Sequence, residues 1–159
     1  MERGTIRRLY EEHGPALLMY ARSLLGDSAA ADDVLQQVFL KLLEGRAGEP
    51  AEPRPYLFRS VRNAALNWRR DAPRAAGLEG AAWFAAVPAG SDSGDAERLQ
   101  DALTELPDDQ REVLVMKVWG GLTFEEVAES LGISANTAAS RWRYGLEKLK
   151  SRMAKERVE

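Results

Sequence analysis

Residues 122–150 read LTFEEVAESLGISANTAASRWRYGLEKLK. Thr123, with Glu126 three residues later, has the spacing of a capping box, which opens a helix by satisfying two backbone N–H groups reciprocally. Val127, Ala128 and Leu131 supply that helix's inward face, and Ala128 is small where a second helix must cross closely. Gly132 then ends it, because a tight turn here needs a positive φ that glycine adopts without steric cost. Ile133 fills the angle, and Ser134 or Asn136 caps the next helix. On that helix Ala138, Trp142, Leu146, Leu149 and Met153 recur at helical spacing and form an inward stripe. Asn136, Ala139, Ser140, Arg143 and Tyr144 point away from it. The pattern predicts a helix-turn-helix whose second helix enters a DNA major groove. Arg and Asn read base edges with paired hydrogen bonds, at roughly 1–3 kcal/mol of discrimination each. Arg141, Lys148 and Lys150 are placed for phosphates, which position a helix without reading sequence.

Upstream of this stretch Leu99, Leu103 and Leu106 precede a break at Pro107. Val113, Leu114, Met116, Val118 and Trp119 follow as an apolar set, with Lys117 expected to face out. Residues 71–95 are rich in Ala, Gly, Pro and Ser and read as a linker, in which Trp83 and Phe84 need a surface to dock on. Three more helical stripes lie upstream. Ile6, Leu9, Tyr10, His13, Leu17, Tyr20 and Leu24 form the first, with a kink or restart expected at Gly14-Pro15. Ala31, Val34, Leu35, Val38, Phe39 and Leu42 form the second, opened by Asp27 or Ser28. Leu57, Val61, Ala64 and Trp68 form the third, with Pro55 suited to a first helical turn and residues 45–55 (GRAGEPAEPRP) expected as a loop. No stretch alternates like a strand. The expected fold is all-α: two small helical domains, residues 1–71 and 98–159, joined by a flexible linker over 72–97, with the helix-turn-helix in the second.

The chain has 159 residues, 22 Lys+Arg against 25 Asp+Glu, one His (His13) and no Cys, for a formal net charge of −3. The absence of Cys excludes a thiol nucleophile, a disulfide scaffold and a Cys-based zinc site. A single His argues against a His triad or a multi-His metal centre, so no enzyme, catalytic residue, metal or cofactor is expected. The longest uncharged stretch, residues 80–91, is too short to span a bilayer, and the N-terminus carries no apolar signal core. A soluble cytoplasmic protein without membrane insertion is expected. The net charge hides its distribution. Residues 54–74 hold six Arg against Asp71 alone, a local +5, and residues 141–157 hold seven bases against two acids, again +5. Residues 98–135 hold three bases and eight acids, a local −5. Two compact basic stripes in an acidic chain have the form of an electrostatic footprint for nucleic acid.

LYEEHGPALLMYARSLLGD, ADDVLQQVFLKL, PYLFRSVRNAALNWRRD and LTELPDDQREVLVMKVWGGLTFEEVAESLGISANTAASR, in that order, resemble the two-domain bacterial sigma-70 family. The extracytoplasmic-function (group 4) type, which keeps only sigma domains 2 and 4, fits best. The resemblance implies an RNA polymerase sigma factor that directs promoter recognition, −10 strand opening and transcription initiation. Its partners would be the polymerase core (β′ clamp and β flap), promoter DNA and, as a candidate, an anti-sigma factor. Residues 1–71 would then be sigma domain 2, and Asp32, Asp33, Gln36, Gln37 and Leu40 would dock on the clamp coiled coil. Gln37 stands where the family often has Glu. Tyr56, Arg59, Arg62, Asn63, Asn67 and Arg70 would meet the −10 element, with Tyr56 as the exposed aromatic and Trp68 in the core. Stacking one unpaired base on an aromatic contributes about 1–3 kcal/mol, comparable to one base-pair step, so a few contacts trap an open strand without ATP. Residues 98–159 would be sigma domain 4, with Asn136, Thr137, Ala139, Ser140, Arg141, Arg143, Tyr144 and Lys148 at the −35 element. Ala139 and Trp142 depart from the commoner family pattern, so no promoter sequence is carried over.

Two other readings are compatible with a helix-turn-helix. One is a standalone transcriptional regulator, which would bind a palindromic duplex stably by itself. The other is a sigma-like adaptor that sequesters an anti-sigma factor and never touches DNA. The charge partition separates the first from the sigma reading. With basic stripes offset by a larger acidic remainder, the free chain should bind random duplex poorly and with steep salt dependence. Titration of a labelled duplex between 50 and 200 mM salt checks this; tight, salt-tolerant binding would contradict it.

Overall fold

A computed structural model describes residues 1–45, 48–71, 83 and 93–158. Among these are seven α-helices and no strand: α1 (Arg3–Leu25), α2 (Ser28–Leu43), α3 (Pro53–Asp71), α4 (Ser93–Glu105), α5 (Asp108–Val118), α6 (Phe124–Leu131) and α7 (Ala135–Val158). Helices α1, α2 and α3 pack on one another, as do α4, α5, α6 and α7. The expected all-α fold in two lobes is what forms. The expected linker falls mostly on residues 72–82 and 84–92, outside the described residues, and α4 already begins at Ser93.

Local chemistry accounts for the element boundaries. Asp27, not Ser28, caps α2, accepting from the N–H groups of Ala29 (2.9 Å) and Ala30 (3.3 Å). α1 runs through Pro15 as one helix rather than restarting there. The carbonyl that proline leaves without a donor belongs to Glu11, on the solvent side of the helix, where both residues are exposed and water can replace the lost bond. α3 starts two residues before the expected boundary, with Pro53 and Pro55 both in its first turn, where no N–H is needed. Both hydrogen bonds of the Thr123–Glu126 capping box are present, at 3.0 and 3.1 Å. Gly132 takes φ 69°, and its N–H returns to the Ala128 carbonyl. Ser134, rather than Asn136, caps α7 by accepting the Thr137 N–H at 3.1 Å.

α5 is the axis of the molecule. Arg111, Glu112, Val113, Leu114, Val115 and Met116 are consecutive and all buried, the mark of a helix covered on every side. It packs on α7 and α6 within its own lobe and on α1 of the other lobe. At Gly145 the α5–α7 approach leaves an added Cβ only 3.2 Å from Gln110 and Leu114, so a side chain there would need those neighbours to give by a few tenths of an ångström. Two expectations fail around α5. Val118 is exposed rather than apolar core. Lys117 does not face out: its Nζ donates to the Leu122 carbonyl at 3.0 Å and lies 4.2 Å from the Phe124 ring centroid. The ammonium stabilises the turn before α6 while its stem covers apolar surface, as amphipathic side chains do.

The buried residues of both lobes form one continuous cluster, running from Ile6, Leu17 and Tyr20 through Phe58 and Val61 to Leu114 and Met116. Trp83 belongs to it, its indole N–H donating to Thr104 Oγ1 at 2.9 Å, which answers where that side chain docks; Phe84 lies outside the described residues. His13 is half-buried with Nε2 3.9 Å from Glu12.

The guanidinium of Arg111 closes the α4–α5 corner. It donates to the carbonyls of Leu103 (3.0 Å), Thr104 (3.1 Å) and Leu106 (2.9 Å) and pairs with Asp108 (2.9 Å). The Leu103 and Thr104 carbonyls belong to the last turn of α4, where i+4 donors run out, and Leu106 lies just beyond it; the Leu103 carbonyl also accepts the Leu106 N–H at 3.1 Å. Replacing Arg111 with Met keeps the stem and removes every donor. Urea unfolding should show a loss of about 2–4 kcal/mol, since a charged hydrogen bond contributes about 1.5–3 kcal/mol and several are lost together.

Candidate nucleic-acid interface

The outer face of α7 assembles much as the spacing predicted. Asn136, Arg143, Tyr144 and Lys148 are exposed, and Thr137, Ala139, Ser140 and Arg141 are half-buried. Asn136, Ala139, Ser140 and Arg143 fall at i, i+3, i+4 and i+7, one continuous face. Arg143 lies 5.3 Å from the Tyr144 ring centroid, within cation–π range. Arg141 is turned aside, 3.6 Å from Asp109 of α5, and the Thr137 hydroxyl accepts from Ser134 at 2.9 Å. Behind this face Trp142 sits edge-on to Phe124, their centroids 6.4 Å apart, and locks the helix-turn-helix angle. Trp142, Leu146, Leu149 and Met153 are only partly buried, because α7 is long and its inner side is covered by short helices.

α3 does not present its six candidates together. Arg59, Asn63, Asn67 and Arg70 form an exposed stripe. Arg62 and Tyr56 are half-buried, so Tyr56 is not the open aromatic expected, and Tyr56 and Trp68 both pack against the core. The cause lies across the junction between lobes. Arg62 Nε donates to Glu112 Oε1 of α5 at 2.7 Å, and the Tyr20 hydroxyl of α1 donates to the same oxygen. Phe58 is fully buried beside Tyr20, their centroids 5.4 Å apart, and a Cβ on Gly120 would come within 2.8 Å of Phe58 Cζ. One turn earlier, Arg54 makes a two-pronged pair with Glu126 at 2.7 and 3.1 Å, and Ser130 Oγ donates to the Pro55 carbonyl at 3.2 Å.

The junction perturbs its ionisable groups. Burial, then the Glu112 carboxylate, pushes the Tyr20 phenol well above its usual range, so it stays a donor. Burial opposes ionisation of Glu126, yet hydrogen bonds from Arg54 and Thr123 outweigh it and hold this carboxyl below its usual range. Glu52 is raised by Glu129, which faces it across the seam. Burial works against the Arg62 charge, but Glu112 more than compensates and raises it. Sequence reasoning missed Glu112 and Tyr20 as polar partners. Glu112 lies within the quoted LTELPDDQREVLV stretch but was given no role of its own there, and Tyr20 falls on an apolar stripe.

On α2, Asp32, Asp33, Gln36, Gln37 and Leu40 are all exposed, Leu40 at 53%. Tyr10 and Leu43 are also half exposed and extend this face into an apolar groove of about 590 Å3 between α1 and α2. Tyr10, expected in the core stripe, instead stands edge-on to Phe39 at 5.1 Å and forms the groove's wall.

Residues 9–75 match Sigma-70 region 2 and residues 96–149 match Sigma-70 region 4. The chain is 31% identical over 158 residues to ECF RNA polymerase sigma factor SigL of Mycobacterium tuberculosis, covering 94% of this chain and 89% of that one. The chain belongs to the sigma-70 family. It is a sigma factor of the extracytoplasmic-function type, for transcription initiation. RNA polymerase sigma factor CarQ of Myxococcus xanthus is 32% identical, over 95% of this sigma factor and 90% of CarQ. Among solved structures, CnrH in complex with the cytosolic domain of CnrY superposes with a TM-score of 0.70 at 25% identity, covering 96% of this chain and 90% of that one. The sigma factor RpoE of Bartonella quintana, in complex with the anti-sigma factor NepR, gives 0.75 at 22% identity, covering 94% and 97%. Among the described residues no helix of this sigma factor is long and apolar enough to cross a membrane.

Glu126 serves both the α6 cap and the junction, and its lowered folded-state pKa sets the sign of the pH effect. Its stabilisation is present above the unfolded value of about 4.3 and is lost as pH falls through the folded value. Glu52 runs the opposite way, stabilising at low pH and losing that contribution as pH rises through its raised value. Glu126→Ala should therefore lower stability by about 1–2 kcal/mol at pH 7 through the lost cap and pair. Urea unfolding at pH 7 and at pH 3 should show the deficit shrinking in acid; an equal deficit at both would contradict the assignment.

Proposed function

We propose that residues 1–71 act as the polymerase-docking and −10 module and residues 98–159 as the −35 reader. The carrying observation is the α7 face: capped by Ser134, turned out by Gly132, and offering Asn136, Ser140, Arg143 and Tyr144 to a groove. In this reading Arg143 and Asn136 read base edges, while Lys148 and, once released from Asp109, Arg141 take phosphates. The exposed α3 stripe of Arg59, Asn63, Asn67 and Arg70 tracks the −10 strand, joined by Arg62 and Tyr56 at its edge. Asp32, Asp33, Gln36, Gln37 and Leu40 dock on the polymerase β′ clamp, and Leu40 continues into the groove with Tyr10 and Leu43 as an apolar anchor. The protein acts in the cytoplasm on the core enzyme and promoter DNA and contributes no catalysis of its own. An anti-sigma partner is supported by the complexes in which the two similar structures were solved.

Run-off transcription with purified polymerase core on the DNA upstream of its own gene tests the reading. Arg143→Ala should cut promoter-dependent transcript roughly tenfold, in line with about 1–3 kcal/mol per base-reading contact. Arg59→Ala with Asn63→Ala should also cut it, but a template already unpaired at −10 should restore output for that variant and not for Arg143→Ala. Asp33→Lys should weaken core binding on every template. No transcript and no core binding by the wild type would overturn the proposal.

A further inference from the structure

The α7 face formed by Asn136, Ala139, Ser140 and Arg143 is polar except at one place. Its other three side chains can make hydrogen bonds, and Ala139 among them cannot. Beside Ala139 the surface sinks into a hollow of about 580 Å3 where α7 meets α6, floored by Phe124, Trp142 and Leu146. Ala139 and Trp142, the two positions that depart from the commoner family pattern, thus border the same hollow. Its floor is held in place. The Trp142 ring stands edge-on to Phe124 at 6.4 Å, and Lys117 Nζ lies 4.2 Å from the Phe124 centroid and 5.9 Å from that of Trp142. We propose that Ala139, with the edge of this hollow, takes the 5-methyl group of a thymine in the −35 element, so that the chain reads one base pair by its methyl rather than by its hydrogen-bonding edge.

In the major groove thymine alone among the four bases carries an apolar group, and alanine is one of the side chains that meet it by contact. A cytosine or guanine brought against Ala139 would give up the water on its N4 or O6 and find no partner there, which costs more than the contact returns. A methyl group has no such partner to lose. It displaces water that an alanine methyl and two aromatic rings hold poorly. Spacing along the helix places the contact. At a rise of about 1.5 Å per residue Ala139 lies about 4.5 Å from Asn136 and about 6 Å from Arg143, against about 3.4 Å per base step. The thymine therefore falls within the roughly three base steps bounded by the pairs that Asn136 and Arg143 meet. Arg143 and Lys150 outnumber Glu147 on the rim of the hollow, so its mouth remains cationic toward DNA. Ala139 acts in this way only if α7 is the −35 reader proposed above, and it adds to that role the chemical group being read.

Holoenzyme assembled from the full-length chain and purified polymerase core, transcribing the DNA upstream of its own gene, gives the measurement. Thymines upstream of the −10 element are replaced one at a time, on either strand, by deoxyuridine, which lacks only the methyl. One position should lower promoter-dependent transcript about fourfold, the factor for returning one methyl-sized group to water. At that position, changing cytosine to 5-methylcytosine should raise the transcript by about the same factor, because the methyl and not the edge is read. Ala139→Lys and Ala139→Gln should each erase both effects with helicity by circular dichroism unchanged. Each variant is scored as its ratio of thymine to deoxyuridine template, which is independent of its overall output, and either variant suffices should the other fail to fold. Equal output with and without the methyl at every position, from a holoenzyme whose transcript still depends on Arg143, overturns the methyl contact and leaves α7 as the reader. A methyl effect that survives in the Ala139 variants overturns its assignment to Ala139. A transcript indifferent both to Arg143→Ala and to every methyl overturns the −35 reading as well.

Discussion

A carboxylate taken out of water must be met by donors, and Glu112 is met by two that belong to the other half of the chain. Removing either donor leaves charge stranded in a poorly solvated place, which costs far more than an exposed ion pair returns. The requirement fixes how α1 and α3 sit on α5. With Arg62 and Tyr20 converging on one oxygen, Phe58 is carried into the seam, and Gly120 has to be glycine to admit it. What would otherwise be two small helical units then share one apolar cluster.

This arrangement gives α3 a double assignment. Successive residues on a helix are rotated by about 100°, so a face that binds the second lobe and a face open to solvent can be written in one segment with an offset of one position. Arg62 stands at the border of the two. Its guanidinium suits a carboxylate and a phosphate equally, which makes its present partner a matter of which anion is nearer. The net charge of −3 acquires meaning in the same way. It sums basic stripes with acidic surfaces that, in part, face each other within the chain.

Much of the fold was legible because its determinants are local. The Thr123–Glu126 box, the Gly132 turn and the apolar stripes of α1, α2 and α3 each act within a few residues, so spacing alone announces them. The outward face of α7 and the exposed face of α2 were legible for the same reason. Other residues were not. Lys117 read as an outward lysine until Phe124 and the Leu122 carbonyl came round to it. Tyr10 read as core until α1 and α2 left a groove beside it. Pro15 read as a break because sequence does not say that Glu11 faces water.

By itself, then, the sequence determined seven helical segments' worth of local chemistry, a helix-turn-helix with the outward face of its second helix, and the family to which the chain belongs. Tertiary structure alone decided which arginines of a uniformly basic stretch remain available. Arg54 and Arg62 are chemically indistinguishable from Arg59 and Arg70 in a linear reading. They differ because Glu126 and Glu112, far along the chain, are brought to 2.7 Å from each. Electrostatic partnership depends on distance and solvation, and neither quantity exists until the chain has folded.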